Sequence, residues 1–309
     1  MSASESGQRT RSERGGVEWG VDSEHGRLLD ILLCSPENFR WLPTSAISRA
    51  TLDAGHRFDP ALAASQHGAL VTAYERAGVR CHFLEPDPAL PYQVFTRDSS
   101  AMGPNGTVIT QLAQPWRRGE YAPAIRFHQE AGIPIRGMIT AGSLEGGDVM
   151  IVEPGTVLIG SGEARTQEAA ANQLAGWYRE DGWEARVQPF PERYVHIDVL
   201  VAVLAEKLAA VCAEVLPAGA VEWLSGKGFD LIEVTADQAF TLGVNAISLG
   251  GERVISASGA HELNAALGAR GLEVIEVDLD TFTLGGGGAH CLGQALRRER
   301  LMRGSPTAR

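Results

Sequence analysis

The chain has 309 residues, 44% hydrophobic and 21% charged, a globular composition that excludes a disordered or collagen-like protein. A formal net charge of -11 argues against a nucleic-acid or anionic-membrane partner and suits a cationic small molecule better. Four scattered cysteines without a CxxC pair exclude a zinc ribbon or dithiol redox motif, and no apolar run has the length of a membrane span.

Residues 1–20 read as a disordered lead-in without the apolar core of a signal peptide, so a reduced, cytoplasmic protein is expected. Residues 304–309 read as a flexible tail, which leaves 21–303 as one domain. Strands and helices alternate between these limits. Residues 27–34 read as a buried strand, 60–78 as an amphipathic helix closed by glycine, and 79–85 as a second strand. A strand at 106–113 precedes a helix at 121–132 and a strand in "IPIRGMI". Residues 148–162 read as a hairpin turning at Pro154-Gly155, followed by a helix at 166–182 and a strand in "WEARVQPFP". Residues 198–216 are ambiguous, because their alanines favour helix while their place in the order favours a hairpin turning at Glu206-Lys207. The hairpin is expected, since it restores a repeat. A short helix in "VEWLSGKG", a strand in "FDLIEVT" and a hairpin through Gly250-Gly251 come next. A helix at 260–271, a strand in "LEVIEVDL" and a last strand after Cys291 complete the order.

The repeated unit is strand, helix, strand and polar loop. The loops carry Asp98, Asp148, Asp198, Asn245 and Cys291, at intervals of 50, 50, 47 and 46 residues. Five such units closing in a ring would bring the loops to one mouth. Four stretches there could do chemistry: "FTRD" (95–98), "EGGD" (145–148), "HID" (196–198) and "GGAHC" (287–291). Carboxylates around a thiol raise its pKa, an odd setting for attack on a neutral carbonyl. A guanidinium would offset that charge, and its planar fork of N–H donors matches carboxylates.

In this order and spacing the four stretches resemble the guanidine-modifying, or amidinotransferase, superfamily. It includes arginine deiminases, dimethylarginine dimethylaminohydrolases, agmatine deiminases and amidinotransferases. The resemblance covers residues 24–299 and implies an α/β fold, the five-bladed α/β-propeller (pentein) of repeated ββαβ-type units with pseudo-fivefold symmetry. By the same resemblance Cys291 is the nucleophile and His196 the general acid and base. Asp98 and Glu145 hold the guanidinium, and Asp198 matches a second aspartate of arginine deiminases. Phe95 lines the pocket, Arg165 binds a substrate α-carboxylate, and Arg117 or Arg118 falls near a second such arginine. Gly288 is expected to keep the approach to Cys291 clear of side chains. The resemblance implies hydrolysis at the guanidino carbon, without cofactor or metal, with L-arginine to citrulline and ammonia as the leading reaction.

Other features pull elsewhere. Arginine deiminases of bacteria carry arginine five residues before the cysteine, where this chain has Gly286. The "CLGQALRRE" tail resembles dimethylarginine hydrolases, and "GGG-x-HC-x-x-Q" echoes agmatine deiminases. Dimethylarginine hydrolysis, amidino transfer to an amine, and ureido hydrolysis of citrulline therefore stay open, as does a homo-oligomer. Each residue also has a structural reading: a lone cysteine packs, EGGD makes a turn, Arg165 braces the next helix, and the glycine run is a linker. His196, Asp198, His290 and Cys291 carry zinc donor atoms, but no pair has tight structural-zinc spacing, and a metal there would repel a guanidinium. The other seven histidines read as structural.

Overall fold

Inner alanines, β-branched residues and glycine turns shape the chain into small sheets rather than one large one. The computed structural model describes residues 18–162 and 164–301. The expected lead-in and tail lie outside these residues, apart from 18–20, where Gly20 pairs with Arg297.

Strands β1 (Leu28–Cys34) and β2 (Arg80–Leu84) lie parallel, joined across the helix Pro60–Arg76. That helix starts at Pro60 behind the N-cap Asp59, whose carboxylate accepts the Ala61 and Leu62 N–H groups. It ends before Gly78, where φ of +80° is left-handed. Next come β3 (Ser100–Gly103), β4 (Gly106–Ile109) and β5 (Ile135–Met138), then β6 (Val149–Glu153), β7 (Thr156–Ser161) and β8 (Glu184–Pro189). The last sets are β9 (Val201–Ala205), β10 (Leu208–Val211) and β11 (Asp230–Glu233), and β12 (Ile247–Gly250), β13 (Arg253–Ala257) and β14 (Glu273–Val277). Each set forms one sheet: an antiparallel hairpin, then a helix that returns the chain to a third, parallel strand. The first sheet obtains its antiparallel strand from the far end of the chain, β15 (Gln294–Arg298), which pairs with β1.

The ambiguous segment 198–216 is a hairpin, with Lys207 at φ +54° in its turn. Ala209 and Ala210 are fully buried, which explains alanine in a strand. Burial on both faces leaves no room for larger side chains and overrides helix propensity. The strand expected at 106–113 is shorter, because residues 110–113 leave β4 to enter the site. The short strand β3 and the short helices Ala46–Asp53, Ala236–Phe240 and Asp280–Thr283 span too few residues to set up a readable pattern and escape sequence reading. Among the described residues no helix is long and apolar enough to cross a membrane.

Leu296 on β15 is fully buried. Leu296→Ala should lower the unfolding free energy by about 2–5 kcal/mol in urea titration, through lost burial and a residual cavity. Phe83→Ala, at a side chain 49% exposed, should change it by less than about 0.5 kcal/mol.

Candidate active site

Each of β3, β6, β9, β12 and β15 begins two or three residues after one of the five spaced loop residues, except β6, which follows Asp148 directly. The loops are bonded in sequence. Asp98 Oδ1 accepts the Gly147 N–H at 3.1 Å, and Asp148 Oδ1 accepts the Ile197 N–H at 2.7 Å. Asn245 Nδ2 donates to the Asp198 carbonyl at 3.3 Å. Its Oδ1 accepts the N–H groups of Gly288, His290 and Cys291 at 3.1, 3.1 and 3.2 Å. The Arg97 N–H donates to the Cys291 carbonyl at 3.3 Å, returning to the first loop. Equal loop spacing thus becomes a closed circuit of hydrogen bonds.

Inside this circuit Phe95, Asp98, Arg117, Arg165, His196 and Cys291 line a cavity of ≈ 20 Å³, room for about one water. Val195, at its edge and just before His196, holds φ at +31°, a strained conformation for a β-branched residue. His196 Nε2 is 2.8 Å from Glu145 Oε2, and Nδ1 is 3.6 Å from Asp98 Oδ1. Burial opposes charge on this imidazole, but Asp98, Asp148 and Glu145 outweigh it and raise its pKa to about 10. Cys291 Sγ is 3.6 Å from Asp198 Oδ2. Burial, then the charges of Asp198 and Asp98, hold this thiol protonated well above its usual range. Burial pushes the Asp198 carboxyl up, but hydrogen bonding and charge from His290 bring it below its ordinary value. Glu145 follows the same pattern, with Arg165 and His196 overcoming burial.

The structure brings Cys291, His196, Glu145, Asp98, Asp198, Phe95, Arg117 and Arg165 together, and revises several expectations. Glu145, expected to grip a guanidinium, has both oxygens engaged within the protein: Oε1 accepts the Ala113 N–H, and Oε2 faces His196 and Arg165. It orients His196. Arg118 is exposed and lines a separate outer groove with Gln111, Ser143 and Gln167. Arg117 is buried, and its guanidinium meets both Glu120 oxygens at 2.8 Å and Asp98 Oδ2 at 2.7 Å, so its charge is already compensated. Gly288 does not guard the approach to the thiol, because a Cβ there would meet Asn245 Oδ1 at 2.8 Å. A Cβ at Gly287 would strike the Phe95 ring at 2.3 Å. The glycine run is therefore close packing rather than a linker.

Glu24, Glu120 and His290 join this site although sequence reading gave them no part in it, and Asn245 was noted only for its spacing. The Arg-x-x-Glu spacing of 117 and 120 was a local signal for Glu120. His290 sits beside Cys291 in sequence, whereas Glu24 left no signal. Asp98, Glu145 and His196 also place one donor atom each within 4.8 Å of one another. A metal ion suits this set poorly, since Arg117 and Arg165 already occupy its carboxylates and its imidazole favours the protonated form.

A mixed-sheet α/β fold that brings cysteine, histidine and clustered carboxylates to one cavity is that of the guanidine-modifying superfamily, the penteins. The chain belongs within it to the family described as N,N-dimethylarginine dimethylhydrolase, eukaryotic, whose model matches residues 43–298. It is 31% identical over 283 residues to uncharacterized protein YkgA of Bacillus subtilis, covering 89% of this chain and 94% of that protein. It is 30% identical to N(G),N(G)-dimethylarginine dimethylaminohydrolase of Mycobacterium tuberculosis, with 75% of each chain covered. An arginine deiminase of Listeria monocytogenes is 28% identical, with 71% of this chain and 63% of that protein covered. Among solved structures, a dimethylarginine dimethylaminohydrolase of Pseudomonas aeruginosa, a cysteine-to-serine mutant complexed with citrulline, superposes with a TM-score of 0.73. It is 25% identical, covering 86% of this chain and 98% of that one. The N-terminal domain of ArgZ, a cyanobacterial arginine dihydrolase, shares the fold with a TM-score of 0.76 at 18% identity, covering 86% and 97%.

Iodoacetamide should alkylate Cys291 slowly at neutral pH in the empty site. Asp198→Asn removes the nearest negative charge and should speed this alkylation by about tenfold, read by mass spectrometry of the Cys291 peptide. An unchanged rate would contradict the electrostatic reading of the thiol.

Proposed function

We propose that the protein hydrolyses a C–N bond at the guanidino carbon of a small arginine-like molecule, with L-arginine to citrulline and ammonia as its reaction. The observation that carries this reading is the Asp198 carboxylate. Its Oδ2 lies 3.6 Å from the Cys291 sulfur, while its Oδ1 is buried with no hydrogen-bond partner. A buried acceptor beside the nucleophile requires an N–H donor. An unsubstituted terminal nitrogen provides one, whereas a dimethylated nitrogen has none, so a dimethylarginine would have to turn its other terminal nitrogen toward Asp198.

The chemistry follows from the charges. Binding a guanidinium beside Asp98 and Asp198 offsets the negative field that keeps the thiol protonated, and the thiol proton leaves to solvent. Arg117 gives up its bond to Asp98, and the narrow cavity opens to admit the substrate. The thiolate bonds to the guanidino carbon, while the His196 imidazolium protonates the departing nitrogen, which leaves as ammonia. The neutral imidazole then takes a proton from water as the water oxygen bonds to the thiouronium carbon. The tetrahedral adduct then collapses: the C–S bond breaks, the hydroxyl proton passes to the leaving sulfur, and the thiol and a neutral ureido product result. Phe95 walls the cavity, and Arg165, which also lines it, takes the substrate α-carboxylate in this reading.

We read residues 21–303 as one catalytic domain, with the five sheets arranged as a five-bladed α/β-propeller of pseudo-fivefold symmetry. The four free cysteines suit a reducing cytoplasm. A second reading, hydrolysis of methylated arginine, is favoured by the dimethylarginine hydrolase family model that matches the chain.

The test is a panel of arginine, methylated arginines, agmatine and citrulline, with EDTA present and amines added as acceptors. Ammonia, methylamines, citrulline, ornithine and new guanidino products are read by mass spectrometry. Arginine should give citrulline with a kcat/KM at least about tenfold above that of dimethylarginine. Cys291→Ala should lower kcat by about a thousandfold or more. Faster release of dimethylamine would assign the second reading, transfer to an amine would make the protein an amidinotransferase, and release of ornithine from citrulline would make it a ureido hydrolase. Absence of product from every compound would end the proposal.

A further inference from the structure

Buried charge continues beneath Cys291, away from the cavity. The segment 20–26 crosses under the loops: Val21 N–H donates to the Gly103 carbonyl and Glu24 N–H to the Ile151 carbonyl. This path carries the Glu24 side chain, 4% exposed, into the interior. Glu24 Oε1 lies 3.1 Å from Arg97 Nη2, and Oε2 lies 3.6 Å from His290 Nε2. On the other side of the ring, His290 Nδ1 is 2.8 Å from Asp198 Oδ2. That same oxygen faces the Cys291 sulfur at 3.6 Å. A single line of contacts therefore runs from Glu24 through His290 and Asp198 to the thiol.

Both ring nitrogens of His290 face carboxylates, and an imidazole donates from both only when protonated. Burial and the neighbouring Arg97 oppose that charge, but Asp198 and Glu24 outweigh them and raise the His290 pKa. The charged groups facing this line are Arg97 at His290, Arg97 and Arg298 at Glu24, His196, Arg97 and Asp148 at Asp198, and Asp98 at the thiol. Neither His290 nor Asp198 is among the residues lining the cavity, and the side-chain contact from His290 toward the thiol runs through Asp198.

We propose that His290, braced by Glu24, is a positioning residue for Cys291. It fixes the Asp198 carboxylate with one oxygen toward the sulfur and the other unbonded, and it compensates the Asp198 charge so that the thiol ionises more readily. The inference deepens the proposed function and rests on it for turnover, whereas thiol ionisation is a property of the free protein.

The experiment uses the full chain with His290→Ala, His290→Asn and Glu24→Gln. Iodoacetamide alkylation of Cys291 is followed from neutral to alkaline pH, with circular dichroism to verify folding. His290→Ala bares the Asp198 charge and should slow alkylation at neutral pH by about tenfold, moving the inflection upward by about one pH unit. His290→Asn restores a donor without charge, and Glu24→Gln weakens the imidazolium; each should slow alkylation by about threefold. With the best guanidino substrate, the His290 variants should lose kcat while KM stays within about twofold. In an Asp198→Asn background, His290→Ala should no longer shift the inflection, which a merely structural role would not produce. An unshifted inflection in folded His290→Ala overturns the proposal. If that variant does not fold, unshifted profiles in both His290→Asn and Glu24→Gln do the same. Shifted profiles in a protein that converts no guanidino compound would sink the proposed function and leave this inference standing.

Discussion

Compensation of buried charge is the constraint on which the rest of the structure depends. Glu24, Asp98, Glu120, Glu145, Asp148 and Asp198 are all buried, as are Arg97, Arg117, Arg165, His196 and His290. A carboxylate left alone in such a place would take up a proton or unfold its surroundings. The pairings prevent this for most of the set and in doing so fix the loops against one another. Arg97 ties the second sheet to the N-terminal segment through Glu24, and Arg117 ties Asp98 to Glu120. Asp148 and Glu120 sit where burial wins, with pKa values raised to about 7. Asp148 nonetheless holds Ile197, and so the start of the histidine loop, through one oxygen.

Reactivity is arranged around this compensation. A thiol beside carboxylates is poorly ionised, which keeps an empty site quiet toward adventitious electrophiles. In the proposed reaction a ligand that brings its own positive charge reverses the balance, so recognition and activation become one event. Asn245 contributes without charge. Its single amide oxygen gathers three backbone N–H groups of the cysteine loop, and its amide nitrogen reaches the Asp198 loop. The glycines before Cys291 permit that approach, because a side chain at 287 or 288 would collide with Phe95 or Asn245.

Much of the architecture was legible in the sequence because it repeats. Alternation of apolar strands with helices, and the even spacing of Asp98, Asp148, Asp198, Asn245 and Cys291, indicated five similar units before any coordinate was known. Strand signals that depend on local pattern were also readable: the turn at Pro154-Gly155 occurs where Pro and Gly mark it, and the turn expected at Gly250-Gly251 lies one residue later, at Gly251-Glu252. What escaped depends on three-dimensional partners. Glu24 is an ordinary acidic residue in sequence and is distinguished only by the chain path beneath the loops. Glu145 and Arg117 change meaning once their neighbours are seen, since carboxylate and guanidinium are each already engaged. The four glycines suggested freedom, and close packing explains them. Arg117 and Arg118 are adjacent in sequence, yet one is interior and the other faces solvent.

The first sheet is completed by β15, so strands from opposite ends of the polypeptide lie side by side. Cys291 is on the short approach to that final strand. During synthesis the ribosome therefore emits Asp98, Glu145, His196 and Asp198 long before it emits His290 and the sulfur. The site cannot assemble piecemeal: until β15 pairs with β1, the acidic and imidazole groups of the earlier loops stand without the thiol beside them. Such a long-range seam is slow to form and late to close, so the cavity is complete only once that strand has paired.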